Sequence, residues 1–244
     1  MNGQWIGKFS GSNNGEMTVN VDDRGSYFQG VAYVNDLDAN LPGIVAAFRT
    51  KDRDSDFSFR TDQLWAIHPR SKNSAPWDEV KQLYPPGLAF PTYADAIGRW
   101  DRSSLKIDWK TDIGTSAHWE APRSRGGEPS DLKPLQMAWA DFKKYVSELT
   151  GRNLFRGQEQ SWRLRTTFHR AGRADVIRFV AEDIKLLHRN LSARTRHIFN
   201  LGNPDENGAF FSLIQHHGYP TPLLDWTYFP LRCGIFRLSR SLPI

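Results

Sequence analysis

From Trp5 to about Trp119 the chain runs in short stretches of alternating apolar and polar residues separated by turn formers, the pattern of half-buried antiparallel strands. Gly11-Ser12-Asn13-Asn14-Gly15 precedes Met17-Thr18-Val19-Asn20-Val21, and Asp22-Asp23-Arg24-Gly25 leads into Tyr27-Phe28 and Val31-Ala32-Tyr33-Val34. Both read as hairpins, because Gly, Asn and Asp tolerate the backbone that tight turns demand. Further runs at Ile44–Phe48, Phe57–Phe59, Leu64–Ile67 and Leu105–Lys110 continue the series, with room for a short helix near Trp77–Leu83 or Tyr93–Trp100. The opening run Gln4–Gly11 and the late run Leu105–Lys110 read as the opening and closing strands of a small antiparallel sandwich or barrel. Such barrels can hold a ligand, but aromatics make up 13% of the chain, with nine Trp, and one this short is expected to fill with its own side chains.

The period then changes. Ala121–Ser130 is rich in Pro, Gly, Ser and charge and reads as a linker. Beyond it, apolar residues recur at helical spacing at Leu135, Ala138, Trp139, Phe142, Val146 and Leu149, with Ser130 or Asp131 as cap, Pro134 in the first turn and Gly151 at the end. A second helix carries Ile177, Val180, Ile184, Leu187 and Leu191 on one face, and a third is predicted over about 206–216. Asn153–Gly157 and Leu223–Trp226 read as short strands. The predicted class is α+β: an antiparallel β sandwich or barrel over 1–122, a linker over 123–133, and a smaller α/β domain over 134–244.

Two blocks in the later region carry a resemblance. Leu154-Phe155-Arg156-Gly157-Gln158, followed by Trp162-Arg163-Leu164 and Thr166-Thr167-Phe168-His169-Arg170, is one. Gln215-His216-His217-Gly218-Tyr219-Pro220-Thr221-Pro222-Leu223-Leu224-Asp225-Trp226-Thr227 is the other. In this order, with helices between, they resemble the aromatic-Arg-Gly signature and the long His-Gly-Pro-Thr-Leu-Leu-Asp-Trp-Thr motif of bacterial FRG domains. The resemblance covers about 150–231 and leaves 1–125 unassigned. After Thr227 the chain departs from the family pattern. Tyr228–Ile244 is rich in Arg, Ser and Leu, and it reads as the truncated or frame-shifted end of an incomplete domain.

Arg156 beside Gly157 is suited to a phosphate or carboxylate held bidentately, since glycine lets the anion approach the backbone. His217 and Thr221 are the further candidate ligand contacts, while Phe155, Asp225, Trp226 and Thr227 are assigned to the motif's structure. A structural reading of Arg156 stands beside the ligand one, in which it pairs with Asp225. Either way the two residues are expected to meet. Adjacent histidines do not share a helix face, so His216 and His217 make a poor metal pair; one imidazole is expected to turn to the core or a helix end and the other to a cleft, and no metal is predicted. A looser likeness to mono-ADP-ribosyltransferases implies NAD as the candidate ligand. That chemistry would need a late catalytic Glu, no Glu follows Glu206, and no catalytic residue is assigned.

Charge adds a competing reading. Residues 1–130 hold 15 Lys/Arg against 17 Asp/Glu, a balance of −2, and residues 131–244 hold 17 against 10, a balance of +7. A basic half with Trp162 among Arg163 and Arg165 fits a non-catalytic module binding nucleic acid or a protein partner, and a surface of solvated arginines accounts for the same excess. Arg232, Arg237 and Arg240 of that excess fall in the aberrant tail. The longest apolar run of the N-terminal half, Ile44–Phe48, is far short of the roughly 20 residues that span a bilayer. The expectation is a cytoplasmic protein without membrane association, its single Cys233 unable to form an internal disulfide.

Overall fold

A computed structural model describes residues 1–124, 129–133, 135–149, 152–158 and 160–231. The chain is α+β. Its ten strands are β1 (Gly3–Gly11), β2 (Asn14–Asp23), β3 (Phe28–Asp36), β4 (Gly43–Arg49), β5 (Asp56–Thr61), β6 (Leu64–Ile67), β7 (Ser74–Ala75), β8 (Ala94–Trp100), β9 (Ser104–Thr111) and β10 (Ser116–Ser124). They form one antiparallel sheet in the order β5-β8-β9-β10-β1-β2-β3-β4-β6-β7. The short helix α1 (Trp77–Val80), continued by a 3₁₀ turn over Lys81–Leu83, lies where the first of the two helix readings put it, and Tyr93–Trp100 is the strand β8 instead. Two compact units divide the chain: Met1–Arg125 with Gly172–Asn207, and the described residues of Gly126–Ala171 with Gly208–Ile244. No helix among the described residues is long and apolar enough to cross a membrane.

The alternation that predicts the strands fixes their register. Trp5, Phe9, Met17, Val19, Val21, Phe28, Ala32 and Phe48 turn inward, with Trp119, Leu105 and Ile107 from the later strands. The sheet curls until β4 meets β5. Thr61 Oγ1 donates to the Ala47 carbonyl at 2.5 Å, Ala47 N donates to Gln63 O at 3.0 Å, and the Phe48 and Phe59 rings stack at 4.7 Å. The result is a barrel whose wall runs through β1 to β5 and β8 to β10. Around its inside, Phe57, Gly98, Ile107, Trp119, Phe9 and Gly15 stand opposite one another on successive strands.

Three glycines in that lining explain how so many rings fit. Gly15, Gly30 and Gly98 are the cross-strand partners of Phe9, Phe48 and Phe57. A Cβ at each would stand 2.6, 2.5 and 2.4 Å from an atom of the partner ring, closer than real atoms come. Each ring therefore lies flat across a glycine, shielding its backbone and letting the strands bend sharply.

β10 reaches Ser124, so Ala121–Ser124, read as the start of a linker, belongs to the sheet; Pro122 is tolerated although it pairs with Ser104. Of the remainder of that stretch, 125–128 lies outside the described residues, as do Pro134 and Gly151, while Pro129 forms an isolated antiparallel bridge with Trp162.

The segment Gly172–Asn207 holds α4 (Val176–Arg178), one π turn over Phe179–Asp183, and α5 (Ile184–Arg194). These cover the predicted second helix. Ala174, Asp175, Phe179 and Ile184 are buried there, as are the outward-facing Asn20, Asp22 and Val31 of β2 and β3. Arg178 Nη1 donates to Asp22 Oδ2 at 2.6 Å, Arg24 Nη1 to Glu182 Oε2 at 2.9 Å, and Arg173 pairs with Asp183. Asp22 is 3% exposed, so its charge is tolerable only because guanidinium groups meet it. Burial raises the Asp175 carboxyl above its usual range, while the Arg24 guanidinium holds Glu182 below its own.

Candidate functional site

The first compact helix of the later unit, α2, spans Trp139–Glu148 and begins eight residues after Asp131. The expected cap at Ser130 is diverted: its hydroxyl accepts from Leu132 N at 3.2 Å, which closes a local turn instead of starting a helix. The predicted third helix is α6, Pro204–His216. It ends where His217 N, Gly218 N and Tyr219 N donate to the carbonyls of Leu213, Gln215 and Ile214. Gly218 sits at φ 81°, a left-handed conformation that glycine adopts without penalty, and this turn launches the second motif block.

The two motif blocks are hydrogen-bonded together at two places. Phe155 N donates to Thr227 O at 2.8 Å and Thr227 N returns a bond to Phe155 O at 2.9 Å, a two-residue antiparallel bridge. Asn153–Gly157 and Leu223–Trp226 are otherwise irregular, so neither forms the expected strand; Leu223 and Trp226 are 44% and 47% exposed and lack the buried face that would hold a ladder. The second link is at Thr221. Its carbonyl accepts from Phe168 N and from Thr167 Oγ1, both at 3.3 Å, at the start of the one-turn helix α3 (Thr167–Arg170). Thr166 caps α3 by accepting from His169 N at 3.2 Å, and Phe168 is buried.

Arg156 is half-buried beside the bridge and Gly157 is exposed. Arg156 and Asp225 do meet, but not through the carboxylate. Arg156 Nη1 approaches the Asp225 backbone carbonyl at 3.4 Å, a long contact, while Asp225 Oδ1 accepts from Gln215 Nε2 at 2.7 Å. The carboxylate faces outward, where an amide from α6 reaches it more closely than the guanidinium does. Gln215 is thus a residue that sequence reasoning left out; its place one turn-end before His216-His217 was the available signal.

His217 is exposed, and so is His216, their rings edge to face at 5.6 Å. Neither imidazole is turned to the core; α6 ends at His216, so both histidines lie at the helix end. Thr221 is 0% exposed, and its hydroxyl makes no hydrogen bond among the described residues. Thr227 is half-buried and Phe155 likewise. Around this core, Gln158 Nε2 donates to Trp162 O at 2.7 Å, Arg170 Nη1 to Arg165 O at 2.5 Å with its guanidinium over the Trp162 ring at 5.7 Å, and Arg163 pairs with Asp131 at 2.9 Å on the surface. Trp162 is therefore already engaged by a cation. No group of three or more His, Cys, Asp or Glu side chains able to hold a metal occurs among the described residues.

Chemically, the arrangement offers one half-buried guanidinium at a rigid backbone bridge, a glycine beside it, and two exposed imidazoles at the end of α6. Such a set can hold an anion. It contains no nucleophile–base pair within hydrogen-bond reach that the described contacts reveal.

Residues 151–242 match the FRG domain family, a match that runs through both motif blocks and into the tail. No curated protein matches the chain. Among solved structures, a redesigned β-barrel is 9% identical, covering 51% of this chain and 91% of its own at a TM-score of 0.34. A second redesigned β-barrel, bound to DFHBI, is 11% identical over 50% of this chain and 94% of its own, with a TM-score of 0.32. A de novo fluorescence-activating β-barrel is 13% identical over 51% and 94%, with a TM-score of 0.31.

Proposed function

The chain carries an FRG domain over residues 151–242, and on that footing we propose that this domain binds a phosphate-bearing small molecule, NAD or a related nucleotide, with Arg156 as the group that holds the anion. What supports the reading is the paired bonding of Phe155 and Thr227, which fixes the backbone next to Arg156 and close to Asp225. A guanidinium whose backbone is fixed loses less entropy on binding and presents its fork to a phosphate. Gly157 leaves room for the anion, and His217, two residues beyond Gln215, is the second donor. Thr221 takes part by holding the loop through its carbonyl, its hydroxyl being buried. The proposal is binding, with no bond-breaking step attached.

Isothermal titration of the full chain against NAD, ADP-ribose and ATP tests it. Binding in the micromolar to millimolar range that is lost in Arg156→Ala, with unchanged folding, supports the proposal. Absence of heat in the wild type at millimolar ligand removes it.

A second reading is favoured by one observation: Trp226, Tyr228 and Phe229, at and just past the end of the motif, are 47%, 65% and 65% exposed. Exposed rings suit stacking with single-stranded bases or docking of a protein partner. A gel shift with single-stranded oligonucleotides across a salt series separates the two, because phosphate contacts weaken steeply as salt rises.

A further inference from the structure

Inside the barrel the two ends are filled differently. At the end where β2 leads into β3, Trp5, Leu105 and Phe28 are buried, Phe28 meets Trp100 edge to face at 5.6 Å, and Trp100 Nε1 donates to Asp54 O at 2.9 Å. At the other end three strands contribute alanines to the lining, Ala32 on β3, Ala46 on β4, and Ala94 and Ala96 on β8, beside the larger Val34 and Ile44. They leave a cavity of about 80 Å³, walled on the remaining side by Phe59 and Trp109. In a lining otherwise crowded enough to need glycines under its rings, the cross-strand pair Ala32 and Ala46, with Ala94 and Ala96 two positions apart on β8, help to open this space.

The wall is almost wholly apolar. Its two hydroxyls are turned to protein partners, Thr61 Oγ1 to the Ala47 carbonyl at 2.5 Å and Thr111 Oγ1 to the Thr115 carbonyl and hydroxyl at 3.3 and 2.7 Å. The loops at this end also show apolar side chains to solvent. Leu37, after β3, is 76% exposed, and Ile113, after β9, is 41% exposed. A water placed in the cavity would find too few partners, so an apolar occupant is preferred. The volume is well below the roughly 300–1,000 Å³ of pockets for drug-sized ligands, so it seats only the last few carbons of a slim chain.

We infer that this end of the barrel is a binding site for the unbranched alkyl tail of a small amphiphile, its last few carbons seated among Ala32, Ala46, Ala94, Ala96, Phe59 and Trp109, the rest of the tail along the apolar rim of Leu37 and Ile113, and its polar head in solvent. The site is separate from the FRG domain reading and does not depend on it.

Sodium decanoate, titrated calorimetrically into the full chain below its micelle concentration, is the test. Saturable one-to-one binding with a negative heat-capacity change is expected, stronger for decanoate than for butyrate. Ala46→Leu and Ala96→Leu fill the space and should weaken binding at least tenfold with the circular dichroism spectrum unchanged; Trp226→Ala, outside the barrel, should leave binding as it is. If the filled variants do not fold, Phe59→Ala widens the cavity and should bind decanoate with a clearly altered affinity. No saturable binding by the wild type, equal binding by folded Ala46→Leu or by Phe59→Ala, loss of binding in Trp226→Ala, or binding to phosphatidylcholine vesicles without binding to decanoate would each overturn the assignment.

Discussion

Asp22 and Arg178 stand 156 positions apart in sequence and 2.6 Å apart in space, Arg178 Nη1 donating to an Asp22 carboxylate that is 3% exposed. Arg178 lies within the stretch that matches the FRG domain, and Asp22 is on the barrel's second strand. Part of the family-matched sequence is therefore held by the barrel wall. Asp22→Ala leaves Arg178 and the neighbouring Arg173 without their shared acceptor, which should cost about 2–4 kcal/mol, the lower end reflecting that Arg178 is 26% exposed. Urea unfolding checks this, and Asp22→Ala with Arg178→Ala should be clearly less than additive.

The glycine under Phe48 sets a second expectation. Gly30→Ala puts a Cβ 2.5 Å from the ring and 2.7 Å from the Asn20 carbonyl, so the ring or the strand must shift. A loss of about 1–3 kcal/mol is expected, in the range of overpacked cores. Thermal unfolding of Gly30→Ala beside Phe48→Ala and the double variant reads it out. Removing the ring should relieve much of the alanine's cost.

Asp225→Ala keeps the backbone carbonyl that Arg156 touches and removes the acceptor that Gln215 uses. Arg156→Ala and Asp225→Ala should therefore combine additively, within about 0.5 kcal/mol. Gln215→Ala and Asp225→Ala should show coupling below about 1 kcal/mol, as exposed pairs do. A strong Arg156–Asp225 coupling in denaturant cycles would mean that the two side chains pair directly.

Asp175 gives a pH dependence whose sign can be fixed. Burial raises its carboxyl above the unfolded value, the nearby Asp22 adding to this and the Arg178 amide opposing it. A group raised in this way supports the fold while protonated and loses that contribution as pH rises through its folded value. Asp175→Asn keeps the oxygen that accepts from Arg178 N at 2.9 Å but carries no charge. Its advantage over wild type in urea midpoint should grow from pH 4 to pH 7. Glu182 acts oppositely: held low chiefly by Arg24, it supports the fold at neutral pH and loses that support in acid, so Glu182→Gln should flatten the acid limb.

Much of this architecture is visible in the chain itself. Alternation plus Gly, Asn and Asp at the turns marks β1 to β5, and the helical period marks α5 and α6, because each is dictated by which side chains meet the core. β10 is harder to see, since its last residues include Pro122 and Arg123 and resemble a linker until β1 is set beside them. The burial of Asp22 is invisible in sequence, where an acidic residue before Arg24-Gly25 reads as a solvated turn. At the candidate site the motif residues do come together, through Phe155 and Thr227. The contact made by Arg156 does not follow the expected charge pairing, because a backbone carbonyl and a glutamine compete for the same two groups. Local spacing cannot rank such competitors.

The placement of β1 between β10 and β2 has a consequence for synthesis. β1 can zip to β2 as soon as both have emerged, but its other edge waits for Ser116–Ser124. At ~5–20 residues per second, that edge of unpaired amides stays uncovered for on the order of ten seconds on every new chain. During that interval it is open to pairing with a neighbouring nascent copy, so polysome spacing and growth temperature should govern the yield of this protein more than the stability of its finished form.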